Sequence, residues 1–172
     1  MSDSSQPKQP AHVGAIIVRD ALIGGATVAL AIIARQQTTS PELQLVGLSI
    51  ILTGLTMTGY FAARDVSASK RAGARTGGVA GVLAGFIGAL ALSAALLMAG
   101  MNGTTQKLVE ETLPQMYSQE QMQLLTDNNI SIEAFTQYVT FFQIMCCGAA
   151  MPVIGLALGA LGGYTAPEAA KE

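Results

Sequence analysis

Four long apolar runs, separated by polar stretches, divide this chain. A hydrocarbon core of about 30 Å is crossed by roughly 20 apolar residues in a helix. Residues 43–63 form such a run without a charge, and residues 77–101 form another. The fourth run covers residues 132–163 and contains Pro152. Proline frees the carbonyl four residues back, at Gly148, so a kink is expected there.

The first run, residues 13–34, is interrupted by Arg19 and Asp20. The uncharged part, Ala21 to Ala34, rises only about 21 Å as a helix. A full span therefore takes in Arg19 and Asp20, one to two turns inside the membrane edge. A signal peptide is the competing reading, with Lys8 and Arg19 as its basic region and Ala21 to Ala34 as its apolar region. Bulky Ile32 and Ile33 make a poor cleavage site before Ala34. Cleavage would leave three spans.

Boundary signals agree with these limits. Ser40 is an expected N-cap, followed by Pro41 and Glu42, which suit the start of a helix. Asn102-Gly103 marks a stop, and Ser131 is a second expected N-cap. Residues 1–12 are polar, with Pro7 and Pro10, and read as a disordered tail; residues 164–172 read as another. Between the third and fourth runs lies a long loop, 102–131. Within it, Ser118 and Gln121 match a capping box opening a short helix through about Leu125, and Gln106 to Leu113 suggests another. Leu108, Leu113, Met116, Met122, Leu124 and Leu125 make this loop partly apolar, so it is expected to lie over the bundle mouth or in the interface. The fold class expected is all-α: a four-transmembrane-helix bundle with a partly helical extracytoplasmic loop.

Basic residues set the expected orientation. The stretch from Arg64 to Thr76 holds Arg64, Lys70, Arg71 and Arg75, whereas the long loop has Lys107 against Glu110, Glu111, Glu120, Asp127 and Glu133. The basic loop belongs in the cytoplasm, and with four spans both termini do too. The aromatics agree, with Tyr60, Phe61 and Tyr164 at the inner interface and Phe135, Tyr138, Phe141 and Phe142 at the outer one. Asn102-Gly103-Thr104 and Asn129-Ile130-Ser131 match a glycosylation sequon on the outer side, a pattern without meaning in a bacterial protein.

Composition supports lipid as the solvent. The 172 residues are 51% hydrophobic and 12% charged, about half the charge content of soluble domains. A net charge of −2 provides no basic field for nucleic acid. One His and two adjacent Cys offer little for a metal site. The spans use up nearly the whole length, so no separate catalytic domain and no cofactor are expected.

Small residues recur every fourth position in the third run: Gly73, Gly77, Gly81, Gly85, Ala89 and Ser93. The fourth carries Gly155, Gly159 and Gly163 at the same spacing. Such ridges let helix backbones approach closely in lipid. The simplest expectation is that these two helices meet within one chain. A homo-oligomer contact, a face for another membrane subunit, or a pore lining are the alternatives.

Two Arg-Asp pairs recur at one edge, Arg19-Asp20 and Arg64-Asp65. Antiparallel neighbours would pair Asp20 with Arg64 and Arg19 with Asp65, offsetting the cost of charge in lipid. Interhelical pairing with snorkelling is one reading; a gated ion or proton site with Asp20 titrating is the other. Ser49, Thr53, Thr56 and Tyr60 fall on one face leading toward Arg64. They make either a hydrophilic track or hydroxyls bonded to their own helix or a neighbour. Cys146 and Cys147, some 20 Å along the fourth helix, are expected as buried apolar packing residues. His12 lies in the tail or at the interface. The basic loop is expected to set topology, with anionic lipid heads as a further contact.

The chain resembles small four-helix bacterial membrane proteins of unknown function. The likeness lies in Gly59-Tyr60-Phe61-Ala62-Ala63-Arg64-Asp65, the basic loop, the glycine-rich third run, and the polar outer segment with Ser131-Ile132-Glu133. It implies the same fold and the inner membrane of a bacterium, and transfers no catalytic residue. The expected role is a non-enzymatic structural or accessory subunit acting through glycine-mediated helix packing, contacting the lipid bilayer and other membrane subunits or further copies of itself. A small channel or transporter, with a charged site at the cytoplasmic edge of the first two spans, is the alternative.

Overall fold

A computed structural model of the chain describes residues 10–36, 40–66, 69–101, 123, 127–128 and 130–167. Among these residues there is no strand. Four long helices follow in order: α1 (Pro10–Gln36), α2 (Pro41–Arg64), α3 (Lys70–Met101) and α4 (Ile132–Thr165). Each is long and apolar enough to cross a membrane. The helix expected over Gln106–Leu113, the one expected from Ser118 apart from Gln123, both sequon asparagines, and residues 1–9 and 168–172 of the expected tails lie outside the described residues; Pro10–His12 and Tyr164–Thr165, expected in those tails, are helical.

Helix α1 runs unbroken through Arg19 and Asp20. Ser40 holds the N-cap position of α2, and its carbonyl accepts the first helical N–H from Gln44 at 3.1 Å, but its side chain makes no capping bond. Ser131 does cap α4, its hydroxyl accepting from the Ala134 N–H at 3.1 Å. Helix α4 continues past Pro152 to Thr165.

Helix α3 begins at Lys70, seven residues before the apolar run that announced it. Lys70, Arg71 and Arg75 therefore ride on its first two turns instead of in a loop. Hydropathy marks where side chains favour lipid, while backbone hydrogen bonding continues into the polar zone. Ser69 organises the start: its carbonyl accepts from Gly73 N–H at 2.8 Å and its hydroxyl from Ala72 N–H at 3.3 Å.

Helices α2 and α3 form the middle of the bundle; α1 and α4 flank them on opposite sides. The core draws on all four helices. Val28, Ala31 and Ile32 of α1 meet Ile51 and Leu55 of α2 and Ala84 of α3, with Met151 and Leu158 of α4 against them. Most buried apolar residues are alanines, and the only large side chains that are fully buried among the described residues are Leu55 and Val28. Large apolar side chains point outward instead, including Leu30, Leu90, Phe141 and Val153. Small inside and large apolar outside reverses the arrangement of a soluble domain, and suits helices whose surroundings are hydrocarbon.

Candidate functional site between the first two helices

Two places gather the residues that the sequence singles out. One is the contact of α3 with α4. There the glycines oppose one another in antiparallel four-residue steps, Gly73 with Gly163, Gly77 with Gly159, and Gly81 with Gly155. A Cβ at any of these six would collide with the facing carbonyl oxygen. Gly85 meets Met151 instead, where a Cβ would lie 2.5 Å from the carbonyl oxygen and 2.9 Å from Pro152 Cα. The obstacle is backbone throughout, so no rotamer change makes room.

Helix α2 shares this contact, which periodicity alone did not indicate. A Cβ at Gly59 would meet the Gly159 carbonyl, and one at Gly162 would meet the Thr56 carbonyl and lie 3.0 Å from Tyr60 N. Gly159 therefore touches two helices at once. A repeat finder sees one glycine series per helix; Gly59 and Gly162 stand outside both series and carry no such signal.

The second place is a lateral groove between α1 and α2, with a volume of about 970 Å³. Along most of its length the lining is apolar, with Ile23, Val46, Ile50, Met57 and Phe61. One end gathers all four charged residues, Arg19, Asp20, Arg64 and Asp65. The helices are joined behind the groove by small residues. Thr58, which is buried, fits against Gly24, where a Cβ would lie 2.8 Å from the Thr58 Cβ. The Thr58 hydroxyl donates to the Gly54 carbonyl of its own helix at 2.7 Å. A threonine opposite a glycine on another helix leaves no mark in the sequence, and neither was singled out there.

Of the two expected pairs, Arg19 with Asp65 is present and Asp20 with Arg64 is not. Arg19 donates from both Nε and Nη2 to the same oxygen, Oδ1 of its neighbour Asp20, at 2.8 Å. Its Nη2 also lies 3.7 Å from Asp65 Oδ2. The Asp20–Arg64 pair is not formed; among the described residues Arg64 has no ion pair. The reason is reach: Arg19 is adjacent in sequence and folds back onto Asp20. Asp20 is only 7% exposed, and its second oxygen, Oδ2, is buried with no hydrogen-bond partner among the described residues. A buried acceptor without a donor is costly, and more so when ionised.

The polar face of α2 does not form a single track. Ser49 and Thr53 border the groove, while Thr56 and Tyr60 do not and instead adjoin α4 at Gly162. Ser49 and Thr56 both donate to carbonyls four residues back, those of Leu45 and Leu52, at 2.9 Å. Such bonds satisfy a hydroxyl in lipid without any water.

Cys146 and Cys147 are exposed on the bundle surface, contrary to the expected buried position. Depth along a hydrophobic helix is not burial by protein: neighbouring Phe141, Phe142 and Met145 are exposed as well. His12 is exposed near the start of α1. Among the described residues, no group of three His, Cys, Asp or Glu side chains gathers where a metal could be held. Lys70 at the start of α3 places its ammonium 5.6 Å from the ring centre of Tyr164 near the end of α4, tying those ends together. Comparison with family models, with characterised proteins and with solved structures gave no match to this chain.

Proposed function

We propose that this chain is an integral membrane protein of the bacterial inner membrane, non-enzymatic, with a structural or accessory role exercised through contact with other membrane proteins or with copies of itself. Both termini lie in the cytoplasm on this reading. The observation that carries it is the backbone contact among α2, α3 and α4 around Gly159. Helices touching through glycine and carbonyl have no layer of side chains between them to slide, part or line a water path. The glycine ridges are occupied within the chain, so partners are met through the outward apolar side chains of the bundle. Purification in mild detergent tests the idea. A membrane protein recovered in fixed ratio with this chain, or a closed homo-oligomer without ion flux, supports it. A monomer that moves ions or solutes in proteoliposomes overturns it.

One observation favours the second reading, a small channel or transporter. Asp20 is a buried carboxylate with an unused oxygen, at the charged end of an open groove. Buried ionisable groups at membrane depth mark ion and proton paths. On this reading, proteoliposomes carry a flux that Asp20→Asn abolishes while the bundle stays folded.

A further inference from the structure

We propose that the α1–α2 groove binds one membrane phospholipid whose headgroup carries a phosphate and a primary amine. The site presupposes that the helices lie in a bilayer, but not that the chain is an accessory subunit.

The groove joins two unlike surfaces. Its wall along α2 is mainly apolar, with Val46, Ile50, Met57 and Phe61 beside the hydroxyls of Ser49 and Thr53, and one end holds Arg19, Asp20, Arg64 and Asp65. A lipid brings both parts in one molecule, an acyl chain for the wall and a charged head for the end. The groove ends where α2 ends, since Arg64 is the last residue of that helix. Headgroups lie at the ends of membrane-spanning helices.

The charged end is short of one donor and one anion. Asp20 is nine-tenths buried, and its Oδ2 has no hydrogen-bond partner among the described residues. Asp20 borders the groove and the terminal torsion of an aspartate is soft, so a small turn of the carboxylate would share its oxygens between Arg19 and a donor entering from the groove. A primary ammonium supplies N–H donors there, whereas a trimethylated amine has none. Asp65, 49% exposed and held only loosely by Arg19 at 3.7 Å, adds a second negative charge to the same end. Arg64 is exposed on the same end and has no ion pair among the described residues. Its planar guanidinium suits two phosphate oxygens. The groove therefore offers an anion for the amine and a cation for the phosphate, side by side. A purely anionic head would bring no donor to Asp20 Oδ2 and would add negative charge beside two carboxylates that share the single guanidinium of Arg19.

The test is native mass spectrometry of the full chain in mild detergent, titrated separately with phosphatidylethanolamine, phosphatidylcholine and phosphatidylglycerol of identical acyl chains. Phosphatidylethanolamine is retained about tenfold more tightly than either of the others, the worth of one charge-assisted hydrogen bond. Arg64→Gln weakens its retention by about tenfold, and Asp20→Asn brings phosphatidylethanolamine and phosphatidylcholine to near parity. Equal retention of the three lipids in the unaltered protein overturns the proposal. So does phosphatidylethanolamine binding that Arg64→Gln leaves unchanged, or a groove that retains no lipid, which would assign it to a partner's helix. Arg64 is exposed, so its variant folds and keeps the proposal open to refutation even if Asp20→Asn does not fold.

Discussion

Gly77 and Gly159 face each other so closely that a methyl group on either would strike the carbonyl oxygen of the other. The relation is reciprocal, and neither side can yield without moving a helix. A Cβ at Gly148, on the same helix as Gly159, would meet nothing within 4 Å among the described residues. The two positions make a matched pair. Gly159→Ala should cost about 1–3 kcal/mol, the range for overpacking a site that cannot relax. Gly148→Ala should be neutral or stabilising by up to about 1 kcal/mol, because alanine is the better helix former. Thermal unfolding in detergent measures both, and equal effects at the two sites would remove the contact as a source of stability.

Gly24 and Thr58 offer a test of how α1 is held. Alanine at position 24 would be driven into the Thr58 side chain, at a cost of about 1–3 kcal/mol. Thr58→Ala removes the hydroxyl and methyl, the movable part of the obstacle, but keeps the Cβ that lies 2.8 Å from the new one. The double variant should therefore recover part of the loss, with a coupling of about 0.5–1 kcal/mol. A double variant as unstable as the sum of its parts would place the damage elsewhere.

Arg19 should matter through Asp20. Removing the guanidinium strips a buried carboxylate of its partner, which is worse than removing both groups together. Arg19→Gln is therefore expected to lower the yield of folded protein, and adding Asp20→Asn to restore it. Size-exclusion profiles after detergent extraction report the outcome. An added Asp20→Asn that leaves the yield as low as Arg19→Gln alone would mean that Arg19 serves something other than this carboxylate.

Topology can be read with thiol reagents. Cys146 and Cys147 are exposed on the helix surface, roughly 20 Å from the start of α4, a depth that the proposed membrane arrangement puts in hydrocarbon. A charged maleimide should leave them unmodified in intact membranes and label them after SDS. In a cysteine-free background, Ser69→Cys should react only from the cytoplasmic side and Asn128→Cys only from the outside. Labelling of both from the same side would contradict a four-span arrangement.

Hydropathy made the four helices legible, because lipid imposes a minimum run of apolar residues. It misplaced the start of α3 by seven residues, since Lys70, Arg71 and Arg75 are unwelcome in lipid yet compatible with a helix reaching into water. Four-residue spacing identified the residues of the α3–α4 contact. It could not show that Gly59 and Gly162 bring α2 into the same place, because a single glycine on each side has no period. The charged cluster was legible as a set, all four members lining one groove end. Its pairing was not, since side-chain reach decides whether Arg19 turns to Asp20 or across to α2. The unused oxygen of Asp20 depends on three-dimensional burial and leaves no trace in the chain.

Because α4 carries the surface that both α2 and α3 fit against, and because it is made after them, the first three helices cannot reach their final arrangement while the ribosome is still working on the long segment between. Until α4 follows, the glycines of α2 and α3 that fit against it have no facing backbone, and a chain stopped in that segment lacks one side of the contact.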